Sequence, residues 1–346
     1  MIKPRRRLAL ETAYHEALIE CFDHIDCHRT LELRRVIRIL FDEFEEAQRG
    51  KLSDKKKGGR ILKLVLFGIA AGGNGIPDEH HECPHIGRAG NRYSDFNLLV
   101  IVNSQFFAGP RIWKQAQERF LRELTVTGHL SARVNFIVHS IMDINDQLAN
   151  GRPFFTEIVR NGIMLYEAPG SLLVDPIPPD PEAARIEMHR NFDHWFSAAL
   201  QRFELASEAL RRGFHREAAF DLHQSAERLY HCILLVRTLY TPKSHRLIFL
   251  RSHAERIAPQ LIDAWPDNSR FARRCFDLLD QAYIGARYSR SYKITVQELD
   301  WLVDGVKALQ EAVAAICLQH LNQLDGAGAG PTHGQLDTYA QTAVMW

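Results

Sequence analysis

ILKLVLFG at residues 61–68 and SDFNLLVIV at residues 94–102 are the two stretches on which the fold turns. Each is a short run of branched and aromatic apolar residues bounded by glycine or polar residues, the pattern of a buried strand. Working outward, RVNFIVH at 133–139 reads as a third strand, and RIWKQAQERFLREL at 111–124 carries apolar residues at helical spacing. Strand, loop, strand, helix, strand describes a small α/β domain with a mixed sheet. Upstream, Leu10, Tyr14, Leu18 and Phe22 keep a helical spacing, as do Leu33, Val36, Leu40 and Phe44, so residues 8–48 read as two helices. The charged break RGKLSDKKKGGR at 49–60 separates them from the first strand.

Downstream, PGSLLVDPIPPDP at 169–181 has the composition of a domain boundary. Beyond it the pattern is helical in segments 182–212, 215–239, 246–259, 269–286 and 296–323, joined by loops of bundle length. The spacing therefore predicts N-terminal helices over 1–52, an α/β domain over 53–168, a linker at 169–182 and a helical bundle over 183–325. A flexible tail over 326–346 completes the division.

With 43 basic and 42 acidic side chains the net charge is +1, which gives no global reason for a nucleic-acid or membrane partner. No run reaches the ~18 apolar residues of a membrane span. The basic and then amphipathic start, MIKPRRRLALETAYHEAL, is not a secretory signal. The six cysteines, at 21, 27, 83, 232, 275 and 317, lack framework spacing and read as reduced thiols, so the expected compartment is the cytoplasm.

Phe67-Gly68, Gly72 and the later Ser94-Asp95-Phe96-Asn97 resemble the signature of the nucleotidyltransferase superfamily that includes polymerase beta and the minimal nucleotidyltransferases. In that family a strand ends in Gly-Ser and the next strand carries Asp-x-Asp. The resemblance implies an α+β fold, with Gly68, Ile69, Gly72 and Ser94 around a nucleotide such as ATP, and Asp95 and Asn97 at the catalytic centre. It also implies Mg²⁺ held by Asp95, since carboxylates at i and i+2 of a strand share a face. This chain departs from the pattern three times. Ile69 stands where the serine should be, Asn97 replaces the second aspartate, and Asn135 stands near the position of the third acid. Glu79 and Glu82 are the carboxylates open to compensate.

His223, Gln224 and Glu227, then His245, then Tyr283, Arg287 and Tyr288 resemble blocks of the HEPN domain, an all-α bundle. The resemblance implies pairing of two copies into a homodimer through these helices. Many HEPN proteins are ribonucleases with an Arg-x(4–6)-His site. The matching stretch here reads Arg287-Tyr-Ser-Arg-Ser-Tyr-Lys293 and lacks the histidine, while Arg216 and His223 have the interval on a different helix. Arg287, Tyr288, Arg290, Tyr292 and Lys293, with Glu227, are the candidate HEPN surface for phosphate or nucleotide, against the alternative of packed tyrosines and solvated arginines.

Three other features have plainer readings. Asp78-Glu79-His80-His81-Glu82-Cys83-Pro84-His85 is dense in metal ligands but lacks finger spacing, so it reads as a polar insertion. Cys21, His24, Cys27 and His28 read as one helix face, and Lys55, Lys56 and Lys57 as a solvated linker. Trp195, Phe196, Trp265 and Trp301 read as core. Three functions stay open: Mg²⁺-dependent nucleotidyl transfer to a protein or small acceptor; a catalytically inactive nucleotide sensor or toxin–antitoxin-type interaction module; and a HEPN effector acting on RNA.

Overall fold

The computed structural model describes residues 27–49, 58–68 and 95–328, and the chain divides into two compact units, 1–178 and 179–346. Ile69, Gly72 and Ser94, the 78–85 loop, the first predicted helix and the tail beyond Gly328 lie outside the described residues, as do the side chains of Cys27 and His28.

The first unit holds a four-stranded mixed sheet in the order β3-β2-β1-β4. Its strands are β1 (Ile61–Phe67), β2 (Phe96–Val102), β3 (Val134–Ser140) and β4 (Ile163–Glu167). β1 runs antiparallel to both β2 and β4, and β2 runs parallel to β3. Every residue of β1 is buried, as expected of a central strand covered on both faces. Alternate residues Leu64, Leu66, Leu98 and Val100 join a core with Leu33, Val36 and Leu40 of α1 (Cys27–Glu46) and Trp113, Ala116 and Phe120 of α2 (Pro110–Thr125). Helices α3 (Ile141–Ala149) and α4 (Pro153–Asn161) also pack on the sheet, where Phe154 meets Phe67 edge to face. α3, α4 and β4 were not read from the sequence. Gly162 joins α4 to β4, and a Cβ there would stand 2.5 Å from Val65 Cγ1 and against the Ile158 carbonyl. Only glycine lets the chain pass so close to β1.

The second unit is helical: α5 (Pro181–Arg211), α6 (His215–Thr238), α7 (Leu247–Ile257), α8 (Arg270–Tyr288) and α9 (Val296–Gly328). Asp180 caps α5 and Ser269 caps α8 by accepting backbone N–H bonds. α9 continues through Gly326, where the composition predicted the tail to begin. α6 packs against α5, α7, α8 and α9, which makes it the central helix of the bundle. Its polar residues are therefore enclosed, and His223, Ser225, Glu227 and His231 are all buried. Trp265 is buried against Phe276 and Trp301, and Cys232, Cys275 and Cys317 are buried free thiols. No helix among the described residues is long and apolar enough to cross a membrane.

Candidate functional site

The helical unit builds its polar centre on three turns of α6. His223, Glu227 and His231 recur every four residues, so they stack along one face of a helix that is buried on that face. α6 ends with Leu239 in the left-handed region at φ 54°, an uncommon conformation for a branched side chain that costs about 1 kcal/mol or more. That turn starts the loop carrying Thr241 and His245 back over the helix.

His245 Nδ1 lies 2.8 Å from Glu227 Oε1. His223 donates from Nε2 to the His245 carbonyl at 3.0 Å, leaving its Nδ1 to accept from Gln224 Nε2 at 3.3 Å. Gln224 Nε2 also donates to Glu227 Oε2 at 2.6 Å. His231 Nε2 stands 3.6 Å from Glu227 Oε1, and its Nδ1 is 2.6 Å from the Thr241 hydroxyl. One carboxylate thus faces three imidazoles and an amide.

Burial raises the Glu227 pKa, but the histidines that face it, His231, His245 and His223, outweigh that and hold it at about 2. Burial pushes His223 below its ordinary value, against the pull of Glu227, so it favours the neutral imidazole.

Outside this buried hub the site opens to solvent. The His245 side chain is 58 % exposed, and its ring stacks on Tyr283 of α8 with centroids 4.2 Å apart and planes 13° from parallel. The Arg287 guanidinium lies 4.3 Å from the same Tyr283 ring, 4.8 Å from Phe220 and 5.0 Å from Tyr288. Arg287 Nε donates to the Tyr283 carbonyl, so the terminal amino groups are the part of its fork turned to other partners. The His245 imidazole and the Arg287 guanidinium are therefore both anchored on one tyrosine.

Two residues of the expected HEPN surface, Glu227 and Tyr292, are buried instead. Glu227 is 7 % exposed and belongs to the interior. Tyr292 is buried as well: its hydroxyl donates to the Leu278 carbonyl, and its ring fills the space where a Cβ on Gly285 would stand, 2.7 Å from Cδ2. Arg216 is a structural clamp, donating to the Gly285, Ala286 and Tyr292 carbonyls at the end of α8. Tyr288, Arg290 and Lys293 are exposed beside Arg287. His231 and Thr241 were missed, although the interval 223, 227, 231 was legible.

In the α/β unit, Asp95 and Asn97 flank Phe96 at the start of β2, and the parallel register pairs Asn97 with Asn135. Asn135 Nδ2 donates to Asp95 Oδ2 at 3.2 Å and to Asn97 Oδ1 at 3.3 Å. Burial raises the Asp95 pKa, opposed by the Arg133 charge, the Asn135 hydrogen bond and the charge of Arg29. Gly68, at the end of β1, has φ 93°, a conformation open to glycine. Among the described residues no group of three or more His, Cys, Asp or Glu side chains is placed to hold a metal ion.

Residues 192–316 match the family model described as the HEPN domain. This HEPN segment contains all of α6, α7 and α8, and with them every residue of the His223–Glu227–His245–Tyr283–Arg287 array. No curated protein matches the chain.

Proposed function

We propose that the HEPN segment acts on RNA, with His245 as the proton-transfer group and Arg287 as the phosphate-binding group. The observation that carries this reading is the stacking of His245 and Arg287 on Tyr283, with His245 Nδ1 held by the buried carboxylate of Glu227. A carboxylate on Nδ1 orients the ring, so that Nε2 is left for chemistry at the surface. In this scheme Nε2 takes the proton of a ribose 2′-hydroxyl and O2′ attacks the adjacent phosphorus. The P–O5′ bond breaks, leaving a 2′,3′-cyclic phosphate and a 5′-hydroxyl that takes up a proton. Arg287 balances charge on the phosphoryl oxygens. His245 takes the place of the histidine missing after Arg287 in the Arg-x(4–6)-His pattern.

The test is cleavage of a labelled single-stranded RNA by the full chain in EDTA, with an all-deoxy oligonucleotide beside it. Cleavage of RNA alone, reduced about 100-fold or more by His245→Ala and by Arg287→Ala, is expected. Cleavage unchanged in both variants, or none by the wild type, refutes the assignment.

The α/β unit supports a second reading. Asp95, Asn97 and Asn135 meet where the resemblance to nucleotidyltransferases puts the reacting end of a nucleotide. With one carboxylate among these three positions, the form of that reading the donor set favours is a nucleotide-binding module without transfer. Pairing of two copies, and an interaction role of the toxin–antitoxin type, belong to the same proposal.

A further inference from the structure

Divalent cations of the magnesium and calcium kind take oxygen ligands, and charged carboxylates are the strongest of them. At the start of β2 and β3 the side chains that would supply those oxygens face one another differently. The Asn135 amide nitrogen donates to both Asp95 Oδ2 and Asn97 Oδ1, at 3.2 Å and 3.3 Å. The other Asp95 oxygen accepts the backbone N–H of Arg133 at 3.3 Å. An N–H donor therefore already occupies each of these oxygens, and a cation among the three side chains would displace the amide from both. Among the described residues the nearby charge opposes a cation too. The charges of Arg133 and Arg29 both act on Asp95.

We infer that this cluster works without a divalent cation, the Asn135 amide standing in the cation's position as a clasp that ties β2 to β3. Two carboxylates facing each other need a counter-charge, whereas a carboxylate and an amide carbonyl need only the two N–H bonds that one NH₂ group supplies. Exchanging Asn97 and Asn135 for aspartate reverses the logic. Three carboxylates then share the space, and a metal becomes the group that relieves their repulsion. The inference concerns the α/β unit and is independent of the RNA reading of the helical unit.

The experiment is titration of the full chain with Mn²⁺, followed by water-proton relaxation enhancement, for the wild type, Asp95→Ala and the double variant Asn97→Asp/Asn135→Asp. Wild type and Asp95→Ala are expected to give the same curve up to about 1 mM Mn²⁺, the weak end of protein cation sites. The double variant is expected to gain a saturable site and to melt at a higher temperature in Mg²⁺ than in EDTA, with no such difference in the wild type. A saturable wild-type site abolished by Asp95→Ala overturns the inference. So does a folded double variant indifferent to both metals, because the amide would then not mark a cation's position. The comparison of wild type with Asp95→Ala decides the matter even if the double variant fails to fold.

Discussion

Replacing Glu227 by glutamine keeps the shape of the side chain and removes its charge from the centre of the bundle. The native carboxyl titrates at about 2 rather than its ordinary 4.5, because the histidine partners outweigh the cost of burial. At ~1.4 kcal/mol for each tenfold change in proton affinity, that preference for the ionised form is worth about 3 kcal/mol. The figure agrees with the ~3–5 kcal/mol lost when one partner of a buried charged pair is removed. In Glu227→Gln one amide oxygen remains to accept, while the NH₂ group faces donors on Gln224 or His245. The expected loss at pH 7 is therefore about 3 kcal/mol, read from urea unfolding of the full chain by far-ultraviolet circular dichroism at the transition of the helical unit. The pH course is equally specific. A depressed carboxyl contributes its full stability above pH 4.5 and loses it as pH falls toward 2. The gap between wild type and variant should therefore be open above pH 4.5 and close as pH falls toward 2. A gap under about 1 kcal/mol at pH 7, or one that does not narrow in acid, refutes the picture of Glu227 as an ionised hub.

Gly162→Ala places a methyl 2.5 Å from Val65 Cγ1 and should cost about 1–3 kcal/mol by overpacking, seen as a lower melting temperature of the α/β unit. Arg35→Ala removes the paired bonds of Nε and Nη2 to Glu123, at 2.8 Å and 3.0 Å, and leaves a buried carboxylate with His129 and Thr127 alone. The expected cost is about 1–3 kcal/mol in a denaturant titration at pH 7. Arg35 holds Glu123 at about 2, with burial opposing and His129 and Thr127 assisting, so this cost should fade as pH drops from 4.5 toward 2.

The strands carrying the Asp95 cluster were legible because β1 and β2 are buried on both faces and so read as unbroken apolar runs. Period-2 alternation put Asp95 and Asn97 on one face, and the third strand brought Asn135 to them. β4 was not legible, since five residues with mixed burial show no clear period and its place is set by pairing with β1. In the bundle, helical spacing located the five helices to within a few residues, and resemblance singled out His223, Glu227, His245, Tyr283 and Arg287. What it missed was depth. RYSRSYK at 287–293 reads as a polar rim, yet Tyr292 turns inward because Gly285, seven residues earlier, leaves room for its ring. Glu227 reads as surface because carboxylates seldom go inside. Its three histidine partners come from two turns of its own helix and a loop eighteen residues away.

The Arg216 clamp bears on how quickly a ligand could engage Arg287. Helix ends ordinarily fray, and a side chain in the last turn samples many positions before any partner arrives. Here one guanidinium on α6 gathers the carbonyls of Gly285, Ala286 and Tyr292, on either side of Arg287 in the chain. On the proposed RNA reading, the backbone around Arg287 is thus held in place before any ligand arrives. An arriving anion would dock on a fixed template, with little of the encounter lost to ordering the chain.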